Sequence, residues 1–491
     1  MSQHGRYYTG TLPKLQRAVE SFVASCGQPA LSEPGEELIE LTPETLSLTL
    51  QNGHLLLQAW DQRRNLARKV TAIEAQTRSK LVLRVERFGK KTGTLALLDL
   101  KRPGTENASI RSARLEFREV FRRFLQRHYT GFKIAELSTE ANLEQTLSPA
   151  YPRALLLQGS SAWAAIGCGP EADPGNVLSF GLIWLDYLRR RDPMLTVGGL
   201  ILLLPEGQEY NTCLRLRFLS SACATYSVFA YSEDGHARSV DLADYGNILT
   251  QLDPCLHDPE FNAPPELAAF PGIEAVRQPQ GALSYRVRGL EFARFAAGQL
   301  SWGLETKRTA RASNLCEIRA LAGELVRLRS PDAQDRQHPL YLKNRESWLE
   351  SQVRAHVEEI DATLFPAPIY GQVPAFAAGD RGVLDLVAVS RSGRLAVIEL
   401  KATPDIHLPL QALDYWIRVK WHLDRREFTA QGYFPGTQLA AEAPKLLLVA
   451  PALEFHPSNE RILRFFSPTV PVERMGVGLE WQKQLKLMYR M

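Results

Sequence analysis

Gly382-Val-Leu-Asp385-Leu-Val-Ala-Val-Ser390-Arg-Ser-Gly393-Arg-Leu-Ala-Val-Ile-Glu399-Leu-Lys401 is the stretch that decides the reading. Val383–Val389 and Leu395–Leu400 are rich in β-branched and aliphatic residues, as strands buried on both faces are. Arg391-Ser392-Gly393 between them suits a three-residue hairpin loop, whose last residue is left-handed and favours glycine. With that loop Ser390 faces Arg394, and Asp385 falls opposite Glu399. Directly opposed residues sit about 4.5–5.5 Å apart at Cβ. A two-residue Ser392-Gly393 turn would shift the pairing by one and put Leu400 opposite Asp385. Two carboxylates facing each other in an apolar hairpin repel, and a buried unpaired charge is costly. A divalent cation answers both problems. Magnesium takes oxygen ligands, typically one or two carboxylates with phosphate and waters. Strand period two brings Lys401 to the face of Glu399 and turns Leu400 away. There the lysine can orient or help deprotonate a water and neutralise charge developing on phosphate.

Helices flank this hairpin in the sequence. Leu408–Leu423 has helical apolar spacing at Leu410, Leu413, Ile417 and Leu423, with Gln411, Tyr415 and Arg418 on a neighbouring stripe. Gln411 and Tyr415 are four apart and therefore stacked neighbours. Upstream, Tyr341–Leu364 reads as one helix with apolar Leu349, Val353, Val357, Ile360 and Leu364. Glu346 lies within that stripe and Glu350 at its edge. A glutamate facing a core needs a partner, and a metal site supplies one.

Together, Asp385, Glu399-Leu-Lys401 and Gln411-Ala-Leu-Asp-Tyr415 resemble the PD-(D/E)XK nuclease superfamily. The Gln-x-x-x-Tyr element is similar to its RecB-like branch, and the spacing resembles the C-terminal catalytic domain of the NucS endonucleases. The resemblance covers Tyr341–Pro451. It implies a restriction-endonuclease-like fold, a mixed central sheet flanked by helices in α-β-β-β-α-β order. Tyr370–Pro374 would be the first strand and Lys445–Val449 the last. It further implies that Asp385 and Glu399, with the Leu400 carbonyl, ligate Mg²⁺ or Mn²⁺ and that Lys401 is the catalytic lysine. Gln411 and Tyr415 would position the nucleic-acid backbone or the attacking water. The helical acid of the family falls on Glu346 or Glu350. Leu384 stands where the literal motif has proline.

The chain of 491 residues has room for two to four domains at roughly 100–200 residues each. Its 45% hydrophobic and 23% charged residues exclude wholesale disorder, collagen and coiled coil. Residues 1–110 read as a β-rich domain, with strands such as Leu46–Leu50, Leu55–Trp60, Leu81–Glu86 and Thr94–Asp99. Residues 111–252 read as a mixed α/β domain, with helices at Arg111–Tyr129 and Phe180–Arg190. Residues 253–335 open with five prolines before Gly272 and read as a linker and helical connector. Residues 336–491 read as the nuclease-like domain that the resemblance implies. The overall class is α/β in the multidomain α+β sense.

The net charge of +4 is too small to identify a nucleic-acid binder by itself, although 44 Arg stand against 14 Lys. Arg418, Arg189, Arg190, Arg191, Arg122 and Arg123 are candidates for phosphate contact, and solvated helix faces are the alternative. Six scattered cysteines without a Cys-x-x-Cys pair speak against a zinc ribbon or a disulfide framework. With no signal-like start and no apolar run near the ~20 residues of a membrane span, a soluble, cytoplasmic protein is expected, with no membrane partner. No Walker motif is present, which excludes a P-loop motor.

The expected function is therefore metal-dependent hydrolysis of phosphodiester bonds, with DNA as the foremost substrate, in repair, restriction or phage defence. Its cofactor is Mg²⁺ or Mn²⁺, and a homodimer is one expected assembly. The alternatives are a catalytically inactive nucleic-acid-binding or assembly protein on the same fold, and an RNA-cleaving effector.

Overall fold

The computed structural model describes residues 12–32, 39–42, 45–51, 54–60, 65–77, 80–87, 91–101, 106–142, 144–232, 234–243, 248, 250–256, 267, 270–278, 281–371, 373 and 386–491. It is a mixed α/β protein with four sheets among these residues. They fall into two units, one of Met1–Glu209 with Thr225–Val240 and one of Tyr210–Ala224 with Asp241–Met491. No described helix is long and apolar enough to cross a membrane.

Period-two alternation builds the first sheet of the first unit. In β4 (His54–Trp60), Leu55, Leu57 and Ala59 are buried while their neighbours are not. This strand pairs with β3 (Leu46–Gln51) and β5 (Asn65–Gln76), and β6 (Lys80–Arg87) and β7 (Lys91–Asp99) continue the antiparallel meander. The short β1 (Pro29–Ser32) and β2 (Ile39–Glu40) complete its far edge. Helix α1 (Leu12–Ser25) buries Leu15, Val19 and Phe22, spaced four and three apart, in the same core as Leu55, Leu57 and Leu83.

Helix α2 (Glu106–His128) leads to the second sheet of this unit. Strands β8 (Lys133–Ser138), β9 (Arg153–Gln158) and β10 (Ser161–Gly167) are antiparallel neighbours. Helix α3 (Val177–Arg191) carries the chain from β10 to the parallel β11 (Thr196–Pro205). After helix α4 (Tyr210–Leu216), β12 (Thr225–Tyr231) lies parallel to β11, and β13 (Ala237–Ser239) closes the edge antiparallel.

In the second unit, the stretch expected as a linker carries a folded sheet. Strands β14 (Glu274–Arg277), β15 (Leu283–Val287), β16 (Leu290–Ala296), β17 (Gln299–Trp302) and β18 (Arg308–Thr309) form an antiparallel meander. Helix α5 (Leu315–Leu328) places Ile318, Ala322 and Leu325 in a core with Tyr285, Phe292 and Trp302. The prolines at 254 and 271 precede this sheet, and those at 259, 264 and 265 lie outside the described residues.

The last sheet has the order β19-β20-β21-β22-β23-β24. Strands β19 (Tyr370–Gly371), β20 (Leu386–Val389) and β21 (Leu395–Leu400) are antiparallel, β22 (Lys445–Pro451) and β23 (Val472–Val477) run parallel to β21, and β24 (Leu487–Arg490) returns antiparallel. The expected single helix Tyr341–Leu364 is broken. Asn344 turns left-handed at φ +49 and caps α6 (Arg345–Ala355), and His356 leaves helical geometry before a last turn at Val357–Ile360. Helix α6 contributes Trp348, Leu349 and Val353 to the core of Ile398, Leu400 and Val449. Helix α7 (Leu408–Asp424) connects β21 to β22, and the short α8 (Pro457–Leu463) connects β22 to β23. Helix α4 belongs to this unit, held by Arg215, whose guanidinium donates to Asp414 of α7 at 2.6 and 2.8 Å.

Candidate metal centre

The β20–β21 hairpin has the three-residue loop. Its pairs are Leu386↔Ile398, Val387↔Val397, Ala388↔Ala396 and Val389↔Leu395. Ser390 N donates to Arg394 O at 2.8 Å, and Gly393 N donates to Ser390 O at 2.8 Å. Gly393 is left-handed at φ +82, and a Cβ there would meet Gln438 O at 2.1 Å. Glycine is thus required both by the turn and by the neighbouring backbone. The alternative two-residue turn is excluded. Asp385 lies outside the described residues, as does Pro374 at the end of the expected first strand.

Glu399 and Lys401 emerge near the end of the central strand β21. Glu399 is fully buried, Leu400 is buried, and Lys401 is 7% exposed. Three carboxylates surround this ammonium. Its Nζ lies 3.4 Å from Asp405 Oδ2 and 4.0 Å from Glu346 Oε1, and it feels the charge of Glu399. Burial alone would lower the lysine's pKa, but Glu346, Glu399 and Asp405 outweigh it and hold it above the ordinary value. This favours the charged ammonium form of Lys401, which can donate hydrogen bonds and offset negative charge nearby. The Glu346 carboxyl is shifted upward, first by burial and further by Asp405, against the pull of Lys401.

The structure separates the two helical glutamates. Glu346 stands in the first turn of α6 beside Lys401. Glu350, one turn on, is 1% exposed and lies between two guanidiniums. Arg286 Nη1 of β15 reaches it at 3.1 Å, and Arg354 of the same helix pairs with its other oxygen. Its charge is already neutralised, and it is a structural acid joining α6 to the β14–β18 sheet.

On α7, Gln411 and Tyr415 diverge in role. The Gln411 Oε1 is buried with no hydrogen-bond partner among the described residues. The Tyr415 hydroxyl donates to the carbonyl of Val373 and so fixes backbone near β19. Arg418, expected to track phosphate, is buried. The other arginine candidates lie in the first unit and are engaged there. Arg189 donates to Val197 O at 2.8 and 3.0 Å, Arg190 pairs with Asp186 at 2.8 Å, and Arg191 pairs with Glu136 at 2.7 Å. Arg122 lies 3.5 Å from Glu119, whose carbonyl accepts from Arg123 at 3.4 Å.

Sequence reasoning missed Asp405 and His456. Asp405 follows Lys401 by four residues in a turn, and its Oδ1 caps the approach to α7 by accepting from His407 N at 2.7 Å. The Thr403-Pro404-Asp405 turn signal ahead of a helix was the available clue. His456 caps α8, accepting from Ser458 N at 3.1 Å, and burial pushes its imidazole pKa down against the charge of Asp405. No sequence pattern announces its proximity, which arises from the β22–β23 crossover.

Glu399, Glu346, the Gln411 amide oxygen and the Leu400 carbonyl are the kind of donors that Mg²⁺ or Mn²⁺ prefers. Among the described residues no three His, Cys, Asp or Glu side chains converge as a ready metal shell, and Asp385 is not among those residues. In comparison with known proteins, the chain matches no family model, no curated protein and no solved structure.

Proposed function

We propose that the C-terminal sheet and its helices form a divalent-metal-dependent nuclease, acting first of all on DNA. The observation that carries this reading is a fully buried Glu399 two residues before the nearly buried Lys401 at one end of β21, with Glu346 4.0 Å from the lysine. A fully buried acid near a nearly buried lysine is costly to keep in a fold that has no use for them. The hairpin loop expected from the sequence supports the reading further, since that loop is the basis for setting Asp385 against Glu399.

In this reading Asp385, Glu399 and the Leu400 carbonyl hold Mg²⁺ or Mn²⁺, and Glu346 is the helical acid in preference to Glu350. The cation, when bound, supplies a polarised water and offsets charge on the phosphodiester. Lys401 contributes a fixed positive charge to the phosphate as negative charge builds during attack. Asp405 positions that ammonium. The Gln411 amide is available to orient the water or a backbone oxygen, while Tyr415 acts indirectly through Val373. Phosphate chemistry alone does not select sugar or base. The test is a cleavage panel of single-stranded, duplex and branched DNA and of RNA with Mg²⁺ or Mn²⁺. Cleavage of DNA that chelator abolishes supports the reading, cleavage of RNA alone reassigns the substrate, and no cleavage of any member removes it.

A further inference from the structure

The second and fourth sheets share one topology. In order, β8 to β13 are antiparallel, antiparallel, parallel, parallel and antiparallel neighbours, and so are β19 to β24. The helices also recur at the same places in the chain. One precedes each sheet (α2, α6), one joins the third strand to the fourth (α3, α7), and one follows the fourth (α4, α8). Hydrogen bonding fixes the correspondence of residues. Gly167 and Leu400 end the third strands and pair with Leu203 and Val449, and the next amides, Cys168 N and Lys401 N, donate to those partners' carbonyls at 2.8 and 3.0 Å. Cys168 therefore corresponds to Lys401 and Ile166 to Glu399. Arg153, paired with Ile166, takes the position that the sequence expectation gives to Asp385.

None of these counterparts offers a side-chain oxygen of the kind Mg²⁺ or Mn²⁺ takes. Ile166 has no donor, Arg153 is cationic with its guanidinium donating to Glu140 O at 2.6 Å, and Cys168 is fully buried. Burial pushes the Cys168 thiol pKa up to about 12. Phe117 of α2, the helix equivalent to that bearing Glu346, lies against this strand end. Its ring atoms are 3.1 Å from where a Cβ on Gly167 would be and 3.0 Å from one on Gly169. Tyr231 packs beside it, with its ring centre 5.3 Å from that of Phe117 and its hydroxyl donating to Cys168 O at 3.0 Å.

We propose that residues 106–239 are a second, catalytically silent copy of the fold of residues 345–490, in which Phe117, Ile166 and Cys168 form an apolar plug where the other copy carries Glu346, Glu399 and Lys401. Of these two copies only residues 345–490 then carry a metal centre. The choice of counterpart positions rests on the proposed nuclease site.

The test uses the full chain loaded with Fe²⁺ in place of Mg²⁺, with ascorbate and peroxide, so that backbone cuts mark where the metal sits. Cuts near residues 399–405 and none near 166–169 support a silent copy. Cuts near 166–169 overturn it. No cuts anywhere leave the second copy without a metal, as proposed here, but remove the nuclease reading. Peptide-resolved alkylation of native protein tests the plug without any metal. Cys168 is expected to react on the order of 100-fold slower than the exposed Cys316, and Phe117→Ala to speed it about tenfold. Equal rates for Cys168 and Cys316 in the unaltered chain contradict the plug.

Discussion

Lys401 Nζ lies 4.0 Å from Glu346 Oε1, while Glu350, one turn along the same helix, is held by Arg286 and Arg354. Two acids four residues apart thus have opposite tasks. Glu350→Gln leaves two largely buried guanidiniums without their counter-charge, which costs about 3–5 kcal/mol. Glu346→Gln removes no such buried pair. Denaturant melts are expected to show a large loss for Glu350→Gln and none for Glu346→Gln. Equal losses would put both acids in a structural role.

The raised pKa values at the site set a pH signature. Glu346 binds its proton more tightly folded than unfolded, so the stability this gives is present below its unfolded value and disappears as pH rises through the folded one. At neutral pH an ionised Glu346 therefore holds the metal-free protein back. Melting temperatures of Glu346→Gln are expected above those of the unaltered chain at pH 7 and level with them at pH 4. Lys401 behaves differently because its ordinary value is already high. Its contribution is complete below about 10.5 and falls only as pH rises through the raised folded value. A neutral-pH loss of activity that followed Lys401 deprotonation would contradict this.

Asp405 acts through Lys401, 3.4 Å away. Asp405→Asn keeps the cap to His407 N but removes the charge, and is expected to lower cleavage rate roughly 10–100-fold, as outer-shell changes do. The fall should appear in kcat rather than KM. An unchanged kcat would show that Lys401 needs no such partner.

Gly393→Ala should be among the costlier single changes in the last sheet. It combines φ +82 with a Cβ placed 2.1 Å from Gln438 O, so a loss of about 2–4 kcal/mol is expected, measured by urea melts. A loss under about 0.5 kcal/mol would mean that the loop rearranges.

The hairpin around Gly393 was legible because its strands are uniformly aliphatic and its loop chemistry admits few geometries. Other elements were hidden by physics that no local window contains. Strand β5 reads as charged and helix-friendly, Ala67-Arg-Lys69, and register shifts near Val70–Ala72 and Ile73–Ala75 break its period of two. Strand β15 is buried at all five positions, including Arg286, whose charge is offset by Glu350 from far along the chain. That same long-range pair is why the choice between Glu346 and Glu350 was open in the sequence. The repeated topology of the two mixed sheets was invisible, since the copies share strand order while their site positions differ in every residue compared above. Prolines at 254 and 271 marked the approach to the β14–β18 sheet and concealed the sheet itself.

The most direct test of the central claim is plasmid cleavage with Mn²⁺ by the unaltered chain and by Glu399→Gln, with circular dichroism to show that both are folded. Glu399 is fully buried at the end of β21, and glutamine preserves its shape while removing its charge. Cleavage by the unaltered chain is expected, with a loss on the order of 10³-fold or more in the variant. Equal cleavage by both proteins would contradict it.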